Sequence, residues 1–70
     1  SLDRAAMAEL IRGRRILITG AGGSIGAELV RQIVAIGPAH LALVDYGEFN
    51  LYTIDYEIRS WRPNQSMSTI

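Results

Sequence analysis

Cysteine and lysine are both missing from this 70-residue sequence, and histidine occurs once, at His40. Without cysteine there is no disulfide framework, thiolate metal site or thiol nucleophile. Without lysine there is no Walker-type phosphate loop. One histidine leaves a histidine-built zinc site short of ligands. Neither charge sign prevails, with seven arginines against seven acidic residues. The basic excess that marks nucleic-acid binding is therefore absent. No apolar run approaches the length of a membrane span, and no basic-then-apolar signal opens the chain. The expectation is a soluble, cytoplasmic segment with no direct membrane contact and no nucleic-acid partner.

The two prolines, Pro38 and Pro63, punctuate a regular pattern. Asp3 to Ile11 reads as a helix capped by Asp3, with Met7, Leu10 and Ile11 on one face. Arg12-Gly13-Arg14 breaks it. Arg15 to Thr19 is a short apolar strand of the buried parallel type. A second helix spans Ser24 to Ile36, with Ile25, Leu29, Ile33 and Ile36 as its expected inner stripe and Glu28, Arg31 and Gln32 outside. Gly37-Pro38 ends it. Leu41 to Val44 is the second strand, and Asp45-Tyr46-Gly47-Glu48 a turn. A third helix covers Phe49 to Trp61, with Leu51, Ile54 and Ile58 inward and Pro63 beyond its end. The tail from Ser66 to Ile70 has the composition to begin a third strand. Repeats, linkers and low-complexity stretches are absent.

Strand, helix, strand, helix is the α/β pattern, with a right-handed crossover expected. In such sheets ligands sit beyond the carboxyl ends of the strands. Thr19-Gly20-Ala21-Gly22-Gly23-Ser24-Ile25-Gly26 lies at that edge, between a strand and a helix. Glycines let a backbone turn tightly and approach a ligand, and the helix start directs free N–H groups and a positive dipole end at an anion. Asp45 ends the second strand nineteen residues after Gly26, where a dinucleotide-binding fold places its ribose acid.

The glycine spacing is G-x-x-G-x-x-G at Gly20, Gly23 and Gly26, with Gly22 extra, rather than G-x-G-x-x-G. Gly20 suits the tight turn, Gly23 the approach of a pyrophosphate, and Gly26 close helix packing. Ser24 and Ile25 offer N–H groups near the phosphates. The cofactor-binding candidates are therefore Gly20, Gly22, Gly23, Ser24, Ile25, Gly26, Asp45 and Tyr46. Each has a plainer alternative. The glycines serve any strand–helix turn, Ser24 serves as a cap, Asp45 as a turn former, and Tyr46 as a surface aromatic rather than a flank for adenine. Tyr52, Tyr56 and Trp61 read as packing residues, His40 as an ordinary pre-strand residue, and Arg12, Arg14 and Arg15 as a solvated edge. A carboxylate at Asp45 favours NAD over NADP, because it repels a 2′-phosphate. A complete fold of this kind has two βαβαβ halves and about twice this length. The fold class is thus α/β, the N-terminal half of a Rossmann-type doubly wound parallel sheet. It has a leading helix (1–12) and a βαβα unit (13–70).

The glycine turn resembles the extended short-chain dehydrogenase/reductase superfamily. A longer string sharpens the likeness: Gly20 through Leu29, Arg31-Gln32-Ile33, Leu43-Val44-Asp45, then Glu48-Phe49-Asn50-Leu51-Tyr52. It looks like the CapD-type polysaccharide biosynthesis proteins, from about Leu2-Asp3 to Arg59. Gly47 departs from the serine usual in that family's Asp-x-Ser-Glu pattern. The resemblance implies a nucleotide-sugar 4,6-dehydratase acting on a UDP-hexose, typically UDP-N-acetylglucosamine, for surface glycans. In that reaction NAD(P)+ takes a hydride from C4 of the sugar, water leaves across C5 and C6, and the hydride returns at C6. The resemblance also implies a parent anchored to the inner membrane by an upstream region, the leader near Leu2-Asp3 being similar to the approach to the catalytic domain in long forms.

The superfamily's catalytic lysine, one helical turn after a tyrosine, has no counterpart here. No catalytic residue is assigned, and the fragment alone is expected to be inactive. Rival readings are a 4-epimerase or reductase of the same superfamily, a non-catalytic dinucleotide-binding module, and an assembly fragment. Open strand edges invite self-association.

Overall fold

The computed structural model describes residues 3–70; the part of the leader reading that rests on Leu2 lies outside them. Six elements alternate along the chain: α1 (Arg4–Ile11), β1 (Arg15–Thr19), α2 (Ser24–Ile36), β2 (His40–Val44), α3 (Glu48–Trp61) and β3 (Met67–Thr69). The strands form one parallel sheet in the order β1-β2-β3. A parallel strand–helix–strand connection is right-handed. Two such connections in sequence place α2 and α3 side by side on one face. The Arg31–Glu57 ion pair joins them there.

Local chemistry sets the element ends. The Asp3 carboxylate accepts from the amides of Ala5 (3.0 Å) and Ala6 (3.3 Å), capping α1 as expected. Gly37, at φ 104°, closes α2 in the left-handed conformation, its N–H donating to the Ile33 carbonyl. The tail does become a strand: Met67–Thr69 pairs with Leu41–Leu43. On the opposite sheet face the His40 ring bridges the hydroxyls of Ser66 (2.7 Å) and Ser68 (3.0 Å), tying β3 to the start of β2.

Register decides which side chains form the core. Ile16 and Ile18 pair with Leu41 and Leu43, which in turn pair with Met67 and Thr69, so these six share the helix-covered face. Leu41, Leu43, Val30 and Ile58 are fully buried there, with Ile11, Ile18, Ala27, Ile33, Val34 and Ile54 around them. Leu17, Ala42 and Ser68 form the other row. No described helix covers that row, and Leu17 is 61% exposed. β1 is therefore buried on one face only, not on both as its continuous apolarity implied.

Three further expectations are corrected. The inner stripe of α2 is Ala27, Val30, Ile33 and Val34; Ile25 is 86% exposed and Leu29 is also outside. The cause lies at Gly26, which backs onto the Gly20 carbonyl so closely that a Cβ would stand 1.9 Å from that oxygen. Gly26 must face the turn, so Val30, Ile33 and Val34, at i+4, i+7 and i+8, face the sheet. Leu10 of α1 is exposed, leaving Ile11 and Met7 to pack. Tyr52, Tyr56 and Trp61 are surface residues rather than packing residues.

Candidate functional site

Two segments meet at the carboxyl ends of β1 and β2. The Ala21 N–H donates to the Val44 carbonyl at 3.0 Å, extending the β1–β2 ladder one residue into the turn. Gly20 has φ +64°, the left-handed region that favours glycine. The Gly23 N–H then donates back to the Gly20 carbonyl at 3.1 Å, closing the turn. The first helical bond of α2 runs from Ala27 to Gly23 at 2.7 Å. The amides of Ser24, Ile25 and Gly26 precede it and carry the positive end of the helix dipole. Gly23 caps this helix without a side chain.

The glycines answer to different demands. Gly26 is required by the Gly20 carbonyl. Gly22 is pressed against α3, where an added Cβ would lie 2.6 Å from Asn50 Cβ and 2.8 Å from its carbonyl carbon. Gly23 differs from both. Its φ of −74° suits any residue, and an added Cβ would meet nothing nearer than the Gly20 oxygen at 3.5 Å. Nothing among the described residues requires glycine there.

Asp45 is bound into the same structure. Its Oδ2 accepts from the Gly22 N–H at 2.8 Å and its Oδ1 from the Gly47 N–H at 2.7 Å. Those bonds, the Gly47 one foremost, hold its carboxyl below the usual aspartate range and keep it ionised at neutral pH. Asp45 thus does form a turn. A carboxylate has about four acceptor positions, so two internal bonds leave capacity for an external donor. A cleft of about 270 Å³ opens beside it, lined by Thr19, Gly20, Val44, Asp45 and Tyr46. Tyr46 is fully exposed at its rim. The expected residues converge on one edge, with the Gly22 amide engaged by Asp45 rather than free. Sequence reasoning did not single out Thr19 and Val44 of the cleft lining or Asn50 against Gly22, whose closeness is a tertiary contact with no local signature. The described residues hold no cluster of potential metal ligands.

The strand from Ile16 onward, the glycine turn at a helix start and the carboxylate at the neighbouring strand end all lie within a stretch that matches a family model. Residues 16–70 match the one described as Polysaccharide biosynthesis protein. The chain belongs to this family. Two relatives sharpen the assignment to the CapD type within the extended short-chain dehydrogenase/reductases. One, described as polysaccharide biosynthesis protein EpsC of Bacillus subtilis (strain 168), is 41% identical over 58 residues, covering 83% of this chain and 10% of that protein. The other, the capsular polysaccharide biosynthesis protein CapD of Staphylococcus aureus, is 40% identical over 57 residues, or 81% of this chain and 10% of that protein.

The family member thus spans about a tenth of the length of these relatives. Among solved structures, it resembles a chain described as a short chain dehydrogenase from Escherichia coli CFT073. The TM-score is 0.71 at 25% identity, over 90% of this chain and 28% of that one. A second structure bearing that description, complexed with NADPH, gives a TM-score of 0.72 at 25% identity, over 90% and 26%. The expected N-terminal part of a Rossmann-type sheet is borne out.

Proposed function

We propose that this chain forms the adenosine and pyrophosphate half-site for a nicotinamide dinucleotide in a nucleotide-sugar 4,6-dehydratase of surface polysaccharide biosynthesis. The substrate class is a UDP-hexose such as UDP-N-acetylglucosamine, the activity implied by the family resemblance. The observation that carries the cofactor reading is Gly23: a missing side chain that the chain's own packing does not require, beside the first amides of α2. Its open side is where a pyrophosphate approaches the backbone.

In this reading the amides of Ser24 and Ile25, with the Ser24 hydroxyl, hold the pyrophosphate. The spare acceptor positions of Asp45 take the ribose hydroxyls, and Tyr46 flanks the adenine at the cleft rim. An ionised Asp45 repels a 2′-phosphate, which favours NAD over NADP. The chemistry such a dinucleotide supplies when bound is reversible hydride transfer. In this reading the residues of this chain orient and hold the cofactor, and the chain alone is expected to be inactive.

An NMR titration of the chain with NAD, NADP and ADP tests the half-site. Shifts at Gly20–Gly26 and Asp45, larger for NAD than NADP, are expected, and their absence would reject it. Asp45→Ala is expected to weaken NAD more than NADP; equal loss would reject the ribose role. Product analysis of the full-length protein with UDP-N-acetylglucosamine tests the chemistry. A 4-keto-6-deoxy product supports dehydration, whereas a 4-epimer overturns it.

A further inference from the structure

The amino ends of the three strands bring a row of basic and hydroxyl groups to the uncovered face of the sheet. Arg15 pairs with His40, and the register that sets Leu41 against Met67 puts Ser66 beside His40. Neighbouring strands lie about 4.8 Å apart, so guanidinium, imidazole and hydroxyl emerge side by side across roughly 10 Å. The ring is held from two directions, with Nδ1 2.7 Å from Ser66 Oγ and Nε2 3.0 Å from Ser68 Oγ. Arg15 and Ser66 are exposed, while His40 and Ser68 are half-buried.

This row has donors without matching acceptors. A neutral imidazole offers one N–H and one bare nitrogen. In the Nδ1–H tautomer Ser68 donates to the ring, and Ser66 accepts from it and keeps its own proton for an outside acceptor. Arg15 adds five N–H donors. Among the described residues neither it nor Arg12 or Arg14 enters an ion pair. Arg14 lies at the same end of the sheet, its carbonyl accepting from the Ala39 N–H at 2.8 Å. The other side chains that β1 and β2 place on this face, Leu17, Thr19, Ala42 and Val44, carry no charge. Glu9, the acid nearest Arg15 in sequence, belongs to α1, whose Ile11 packs into the core on the opposite side. An arginine fork takes two oxygens of a tetrahedral anion, and a hydroxyl proton takes a third. The structure assigns the Arg15–His40–Ser66 row as a binding site for a phosphoryl group. Arg15 holds two oxygens, the Ser66 hydroxyl a third, and His40, anchored on Ser68, orients that hydroxyl. Four residues of β1, about 13 Å, separate this row from the glycine turn. It is thus distinct from the dinucleotide half-site and does not depend on it.

The probe is inorganic phosphate, titrated into the chain and followed by NMR at His40, Ser66 and Ser68. Saturable shifts with a Kd in the millimolar range are expected. Arg15→Gln should weaken binding at least tenfold and Ser66→Ala about fivefold, the loss of one neutral hydrogen bond. Both positions are exposed, so neither substitution opens the core. Arg4→Gln, at the exposed start of α1, should leave binding unchanged. Chloride and acetate at matched ionic strength should give no saturable shift. Co-sedimentation with phosphatidylcholine vesicles containing phosphatidic acid distinguishes the sources of the group. Capture that Arg15→Gln abolishes supports the site with a lipid headgroup as its ligand; phosphate saturation without capture supports it with a soluble phosphorylated ligand. No saturable shift at the row, an equal response to acetate, or equal loss in Arg15→Gln and Arg4→Gln would each overturn the proposal. Phosphate shifts confined to Gly23–Gly26 would also overturn it while leaving the half-site standing.

Discussion

Gly26→Ala and Gly23→Ala are the same chemical change three residues apart, with opposite expected consequences. At Gly26 the new Cβ would stand 1.9 Å from the Gly20 oxygen, 2.7 Å from its carbonyl carbon and 3.2 Å from the Ala21 Cα. These are backbone atoms of a turn held by the Ala21–Val44 and Gly23–Gly20 hydrogen bonds, so no side chain can swing aside. Helix propensity favours alanine by roughly 1 kcal/mol. Relieving the overlap by separating α2 from the turn costs more, of the order of 3–4 kcal/mol given the backbone displacement. The net expectation is a loss of about 2–3 kcal/mol. Total stability for 70 residues is on the order of 5 kcal/mol. With a urea m-value of about 1 kcal/mol/M, the midpoint should fall by about 2–3 M.

At Gly23 the new Cβ meets only an ordinary contact, in a conformation any residue adopts. Loss of a glycine cap, which destabilises, and reduced entropy of the unfolded chain, which stabilises, nearly cancel, leaving about ±0.5 kcal/mol. Urea unfolding followed by circular dichroism measures both variants. A Gly26→Ala midpoint equal to the parent's would refute the packing argument, and a large fall for Gly23→Ala would show that its glycine serves the fold.

The carboxyl of Asp45 sits below its ordinary value of 3.8 in the folded state. Its contribution to stability is therefore complete above that value and lost as pH falls through the folded pKa. An acid titration of Asp45→Asn should show a shallower fall in stability below pH 4 than the parent; parallel curves would remove the bonds to Gly22 and Gly47 as its cause. Arg31 reaches both Glu57 oxygens across the α2–α3 interface, one of them at 3.0 Å, and Glu28 at 3.2 Å. With these side chains about half exposed, Arg31→Met should give a slightly lower urea midpoint, a difference that added salt diminishes. Arg31→Lys should recover little of it, because an ammonium cannot span both oxygens. Gly47→Ser should raise thermal stability by about 0.5 kcal/mol. It supplies the missing side-chain cap of α3 at a φ of −85° open to any residue, and the Asn50 amide at 3.1 Å from the new Cβ can rotate away.

Element order was legible because each boundary carries its own chemistry. Asp3, Gly13, Gly37, Pro38 and Pro63 act on the backbone within a few residues of themselves. The site was legible for a related reason. A strand that ends in glycines before a helix brings amides to one edge, and parallel pairing carries Asp45 to the same edge. Helix faces were less legible. Ile25 and Leu29 are as apolar as Val30 and Val34, so periodicity alone favoured the wrong stripe. Aromatic content likewise implied packing for Tyr52 and Tyr56, which lie on the far side of α3.

What the sequence by itself determined were the properties set by neighbours along the chain: caps, turns, strand and helix order, and the glycine-rich strand-to-helix turn at Gly20–Gly26. The tertiary structure decided the rotation of α2, through the Gly26 overlap with the Gly20 carbonyl, and the attachment of Asp45 to Gly22 and Gly47. It also decided which face of β1 lies open and left Tyr52 and Tyr56 on the outer side of α3. Those outcomes depend on distances between residues far apart in the chain, where close packing and hydrogen-bond geometry choose among arrangements that local pattern leaves equivalent.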